Sequence, residues 1–118
     1  VGAGTPPYMS PEMFKEPERA WYPTDLWSLG VTLFELVTGV LPFQADSDML
    51  YSVAIAANLE DPAPSVLDKL ADDRRSNFDH NFAKVIGQAL EKRVEDRFQT
   101  VDEMHDAVYA CLIDRGEA

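Results

Sequence analysis

The sequence predicts a mainly α-helical domain, and three observations predict it. Apolar residues recur at helical spacing in several segments, most of these segments open on a residue suited to capping a helix, and no alternating strand pattern competes with them. The densest segment, residues 24–38, carries Leu26, Trp27, Leu29, Val31, Leu33, Phe34, Leu36 and Val37, which cover nearly its whole circumference. A helix of that kind must be buried on most sides, so the expected architecture is an orthogonal bundle built around it.

The elements follow in order. Residues 1–7 are rich in Gly and Pro and read as extended loop. Ser10-Pro11-Glu12 then opens a short helix ending near Phe14, with Ser10 as cap, Pro11 in the first helical position and Glu12 at the positive helix end. Pro17 and Pro23 bracket a second loop. Thr24 is the expected cap of the central helix, Gly39 its stop, and Pro42 lies just beyond.

A third helix is expected over 47–58, capped by Ser47, with Leu50, Val53, Ala54 and Ala57 on one face. Leu59 to Asn77 reads as a long connection containing Pro and Asp. A helix over 79–90 places Phe82, Val85, Ile86, Ala89 and Leu90 on one face. The last, over 100–112, opens with the capping box Thr100-Val101-Asp102-Glu103 and aligns Met104, Val108, Cys111 and Leu112.

Composition bounds the function classes. The 118 residues suit one small domain, and 46% hydrophobic with 26% charged residues is ordinary globular composition. Ten Lys and Arg against 21 Asp and Glu leave a formal charge of −11, spread along the chain. Such a surface repels nucleic acid and anionic lipid; it either solubilises the protein or attracts basic peptides.

Cys111 is the single cysteine, so an intrachain disulfide is excluded and a reducing, cytoplasmic compartment is expected. His80 and His105 lack neighbours at metal-ligand spacing, so no metal site is expected. The longest apolar stretch is short and broken by Glu35, and Val1 follows no leader pattern, so neither a membrane span nor a signal peptide is expected.

Three ordered motifs carry a resemblance. Gly4-Thr5-Pro6-Pro7-Tyr8-Met9-Ser10-Pro11-Glu12 resembles the end of a protein-kinase activation segment. Asp25-Leu26-Trp27-Ser28-Leu29-Gly30-Val31, with Glu35, Gly39 and Pro42-Phe43, resembles the central helix of the same domain. Glu95-Asp96-Arg97-Phe98 resembles its closing Arg element. The chain is thus similar to the C-terminal lobe of a eukaryotic-like protein kinase of the Ser/Thr type, a helical part of an α+β parent domain.

The resemblance implies roles. Gly4, Thr5, Pro6, Pro7, Tyr8 and Met9 would face the peptide substrate, and Thr5 would approach the catalytic Asp and Lys, as in kinases acting on Ser and Thr. Glu12 and Arg97 would form a buried ion pair fastening the two ends of the chain; read by local position alone, Glu12 favours a helix end and Arg97 is solvated. Asp25, besides offsetting the helix dipole, would hold the catalytic loop by hydrogen bonds from its backbone. Trp27 reads as packing, and Gly30 belongs to the same motif.

Two positions depart from the family pattern: Ser10 stands where Ala is commonest, and Lys92-Arg93-Val94 replaces an Asp-Pro approach to Arg97. The resemblance implies a parent that moves the γ-phosphoryl group of ATP, with Mg, to Ser or Thr of a protein. Phosphoryl transfer needs a Gly-rich loop, a strand Lys with its Glu partner, a catalytic Asp and Asn, and a metal-binding Asp. No Gly-x-Gly-x-x-Gly, His-Arg-Asp or Asp-Phe-Gly occurs here, so the chain is expected to hold no catalytic residue, to bind no cofactor and to be inactive alone. Its expected partners are the rest of the kinase domain and a protein or peptide bearing Ser or Thr. A lobe of a pseudokinase or signalling scaffold, or a free-standing helical interaction module, are the other readings.

Overall fold

The first helix, α1, spans Tyr22–Thr38. It begins two residues before the expected cap, so Thr24 is buried within the first turn instead of standing ahead of it. Pro23 consequently falls where a helix needs no backbone donor, and its missing N–H sacrifices no intrahelical bond. The far end stops at Gly39, whose φ of 81° is a conformation that a Cβ disfavours; its N–H donates to the Glu35 carbonyl at 2.8 Å. A computed structural model describes residues 10–11, 22–43 and 62–114 of the chain, and the expected helices over 10–14 and 47–58 lie largely or wholly outside them.

The 62–77 stretch is more ordered than the long connection the sequence suggested. Val66–Lys69 forms α2, which opens with a capping box: Ser65 Oγ accepts from the Leu67 N–H, and Asp68 Oδ2 accepts from the Ser65 N–H, both at 3.2 Å. Asp72–Asn77 forms α3. From it, Arg74 Nη2 donates to the Val37 carbonyl at 2.8 Å, placing a cation at the negative end of α1.

Helix α4, His80–Ala89, is capped by Asp79, whose Oδ1 accepts from the N–H groups of Asn81 and Phe82 at 2.8 and 3.2 Å. A short 3₁₀ turn at Val94–Asp96 leads to α5, Val101–Asp114. Thr100 Oγ1 accepts from the Glu103 N–H at 3.1 Å. Glu103 Oε1 accepts from the N–H of Gln99, at 3.0 Å, one residue ahead of the position a standard box would use. Met104 and Cys111 are buried on α5 and Val108 is half-buried, but Leu112 is 38% exposed and does not share their face as expected.

These helices pack as α1 on α4, α4 on α5, and α2 against both α1 and α4. No strand occurs among the described residues, and none of their helices is long and apolar enough to cross a membrane. One core cluster gathers Trp27, Val31, Phe34 and Phe43 with Val66, Leu70, Ile86 and Leu90. The other joins Leu26, Val85 and Ala89 to Phe98, Met104 and Cys111, and Leu33 and Phe82 pack against both. Burying each large side chain contributes about 1.5–3 kcal/mol, so these two clusters supply the main cohesion of the bundle.

Helix α1 is not buried all round. Leu26, Trp27, Gly30, Val31 and Phe34 are buried, whereas Asp25, Leu29, Thr32 and Leu36 are exposed, a spacing of 4, 7 and 11 that marks one face. Leu36 is 75% exposed and Leu29 45%, and Val40 beyond the helix end is 44% exposed.

Gly30 sets the α1–α4 distance. A Cβ there would stand 2.8 Å from Ala89 Cβ and 3.2 Å from Leu90 Cδ2, closer than packed carbons tolerate. Gly30→Ala is therefore expected to destabilise the domain by about 1–3 kcal/mol through overpacking. Adding Ala89→Gly should restore much of that loss, as read by denaturant unfolding of the protein. Equal midpoints for Gly30→Ala and the native chain would show that the helices separate at no cost.

Candidate functional site: an aromatic stack braced by Arg97

Arg97 is 2% exposed, so the solvated alternative fails. It leaves the 3₁₀ turn in extended conformation, its N–H donating to the Val94 carbonyl at 3.1 Å. Gln99 tightens the turn from the other side: its Nε2 donates to the carbonyls of Val94 and Arg97, each at 2.8 Å. The guanidinium is thereby turned inward. Its Nε donates to the Glu91 carbonyl at 2.9 Å, and Nη2 to the Lys92 carbonyl at 3.4 Å. Both carbonyls lie just past the C-terminal end of α4, where the helix dipole concentrates negative charge and a cation is favoured.

The guanidinium carbon also sits 5.0 Å from the centroid of the Trp27 ring. Trp27 is fully buried and stacks on Phe43, with centroids 5.3 Å apart and planes 9° from parallel. Lys92, 6% exposed, places Nζ 5.3 Å from the Phe43 centroid. Arg97 on Trp27, Trp27 on Phe43 and Lys92 on Phe43 form one continuous run of contacts between two cations and two rings. Cation–π attraction reaches about 2 kcal/mol when such groups are desolvated. The stack ties α1, the Pro42-Phe43 loop and the segment after α4 into one unit.

The structure brings Trp27 and Arg97 together and leaves Asp25 exposed in the first turn of α1; Gly30 lies at the α4 contact. Gly4 to Met9 and Glu12, the expected partner of Arg97, lie outside the described residues. Sequence reasoning missed Lys92 as a member of the site. Its only signal was a departure from the family pattern, which says nothing of where the side chain goes. Among the described residues no group of His, Cys, Asp and Glu is placed to hold a metal ion.

A family model, that of the protein kinase domain, matches residues 1–109. The chain belongs to that family. This kinase-family chain is 36% identical over 97 residues to the dual specificity mitogen-activated protein kinase kinase jkk-1 of Caenorhabditis elegans, covering 80% of this chain and 21% of that protein.

It is 38% identical over 117 residues to the putative ribosomal protein S6 kinase alpha-2 of the same organism, covering 94% of this chain and 14% of the relative. With the serine/threonine-protein kinase PknE of Mycobacterium tuberculosis, strain H37Rv, identity is 33% over 109 residues, covering 92% of this chain and 18% of PknE. The chain thus spans about a fifth or less of these relatives' lengths.

Two buried polar residues give contrasting expectations. Arg97→Ala is expected to destabilise the protein by about 3–5 kcal/mol, through loss of its charged hydrogen bonds to the Glu91 and Lys92 carbonyls and of its contact with Trp27. Ser10 is fully buried and its Oγ has no hydrogen-bond partner among the described residues, so Ser10→Ala should leave the melting temperature unchanged or raise it. Thermal unfolding of both variants checks this; an unchanged midpoint for Arg97→Ala would remove the brace from the account.

Proposed function

We propose that this chain is the peptide-facing and scaffolding part of a Ser/Thr protein kinase whose intact form transfers the γ-phosphoryl group of ATP to a protein hydroxyl. The observation that carries this reading is the meeting of Trp27 and Arg97, residues from two separate kinase-like motifs, in one buried stack within a chain whose family match spans 1–109. Names of several relatives add support, since PknE and others are described as serine/threonine-protein kinases. The Ser/Thr preference itself is assigned to Thr5, within a substrate loop of Gly4, Pro6, Pro7, Tyr8 and Met9. Glu12 is the proposed ionic partner of Arg97.

The exposed face of α1 supports the scaffolding role. Asp25 stands on it in company with Leu29, Thr32 and Leu36, so an anion and an apolar strip are presented together. In the proposed role this face carries the catalytic loop, with Asp25 accepting hydrogen bonds from the loop backbone. The residues of this chain include no phosphate-cradling Gly-rich loop and no metal-ligating cluster among those described, so they do not fit ATP and Mg. In the intact enzyme those ligands belong to other residues, and this chain positions the acceptor and the loop that reacts with it.

Two measurements test the reading. The intact parent should label a Ser- or Thr-bearing protein with γ-phosphate, while the purified 118-residue chain should not. Asp25→Ala in the parent should lower kcat up to about a hundredfold with a smaller change in melting temperature, because small misplacements of reacting groups carry penalties of that size. A folded parent that never transfers phosphate would make it a pseudokinase scaffold. Full activity after Asp25→Ala would remove Asp25 from the support of the loop.

The apolar strip gives a further expected outcome. The isolated chain should self-associate through Leu29, Leu36 and Val40, and Leu36→Glu should reduce that association in sedimentation experiments. In the parent the same change should be destabilising. A cooperative, monomeric isolated chain that Leu36→Glu leaves untouched would favour a free-standing helical interaction module.

A further inference from the structure

Helix α3, Asp72–Asn77, buries none of its six residues, and every one of them is exposed. Packing therefore does little to hold it, and a helix this short is marginal by itself. Polar bonds attach it. Arg74 Nη2 donates to the Val37 carbonyl in the last turn of α1 at 2.8 Å, and Arg75 Nη2 donates to the Leu70 carbonyl at 3.0 Å. At the far end, Ser76 Oγ and Asn77 Nδ2 both donate to the Asp73 carbonyl, at 3.2 and 3.0 Å. A negative charge introduced in this last turn acts on the helix and on its hold over α1 together.

Ser76 is where such a charge can be introduced. Its hydroxyl is exposed, and of the serines and threonines in the sequence it alone directly follows a cation. Arg74 and Arg75, which precede it, are the sequence's one pair of adjacent arginines. Charge patterns of this kind are among the means by which kinases separate their substrates. A kinase needs an extended acceptor, and unwinding α3 uncovers no buried side chain.

We propose that Ser76 is a phosphoacceptor for an arginine-directed Ser/Thr kinase, and that its phosphorylation releases α3 from α1. The bond between the γ-phosphorus of ATP and the departing ADP oxygen breaks, the Oγ–P bond forms, and the hydroxyl proton passes to the base of the acting kinase. The product Oγ has no proton left to donate to the Asp73 carbonyl. Its phosphate lies in the last turn of α3, where the helix dipole disfavours an anion, and three residues before Asp79, the cap of α4. It also draws Arg74 and Arg75, because a guanidinium pairs more strongly with phosphate than with a neutral carbonyl. Val37 then loses its donor.

The acting kinase is a second copy of the parent proposed above or a separate enzyme, and the test distinguishes them. The intact parent is incubated with ATP and Mg, alone and with a purified arginine-directed Ser/Thr kinase, and phosphate is located by mass spectrometry. Ser76 should carry phosphate at least in the second sample; phosphate in the first assigns the reaction to the parent itself. Arg75→Ala should slow the modification about tenfold, and an undiminished rate would remove the arginines from recognition. Hydrogen exchange over 37–40 and 72–77 should quicken on phosphorylation and in Ser76→Asp. Ser76→Ala, which keeps the Asn77 donor and adds no charge, should exchange as the native protein does. No phosphate at Ser76 in either sample overturns the site, and a parent that still labels another protein would leave the kinase reading standing. Phosphate at Ser76 with unchanged exchange in both segments overturns the release.

Discussion

A guanidinium brought into an apolar interior loses its water and must recover that loss from the groups around it, and in this chain the position of Arg97 depends on how completely it does so. Two carbonyls at the end of α4 accept its N–H groups, and the face of Trp27 supplies the attraction that a carbonyl cannot. Arg97 is rigid, planar and permanently charged, which suits stacking and forked donation together; a lysine would keep the charge and lose both geometries. The arrangement also fixes the segment that leaves α4, because one guanidinium holds the Glu91 and Lys92 carbonyls together. The end of one helix, the central tryptophan of another and the approach to a third are thus held by one side chain.

Lys92 extends the same logic outward. It lies over Phe43 as Arg97 lies over Trp27, so each of the two nearly parallel rings carries a cation. Lys92 is only 6% exposed, so its charge is held inside the lobe beside the Phe43 ring.

Local signals in the sequence were legible where they act over a single turn. Thr100 caps its helix, and the apolar spacing of Phe82, Val85, Ile86 and Ala89 does mark the packed side of α4, which begins one residue later than expected because Asp79 is its cap. The connection before α4 was misread because its helices are short: Val66–Lys69 is four residues and presents no periodicity, though Ser65 and Asp68 do spell a capping box. Thr24 looked like a cap because Pro23 looked like a break, and a proline is as much at home in a first turn as before one. Leu112 failed on angle, since residues beside a buried position can turn away from it. Lys92 was illegible in principle. Lys92 meets Phe43, from a distant part of the chain, and no local pattern announces that meeting.

What the bracing achieves follows from the geometry of α1. Asp25 and Trp27 are two residues apart, about 200° around a helix at 3.6 residues per turn, so they face opposite directions. The stack grips the Trp27 side, and Gly30 allows α4 to press against the adjoining surface. A helix held so closely on one side cannot tilt without breaking the stack or overpacking the α4 contact. Its other face, with Asp25, Leu29, Thr32 and Leu36, is thereby fixed as an exposed platform. In the proposed kinase, the accuracy with which Asp25 holds the catalytic loop is inherited from interactions on the far side of the helix. Arg97 touches no substrate there, yet it sets how precisely the reacting groups can be placed.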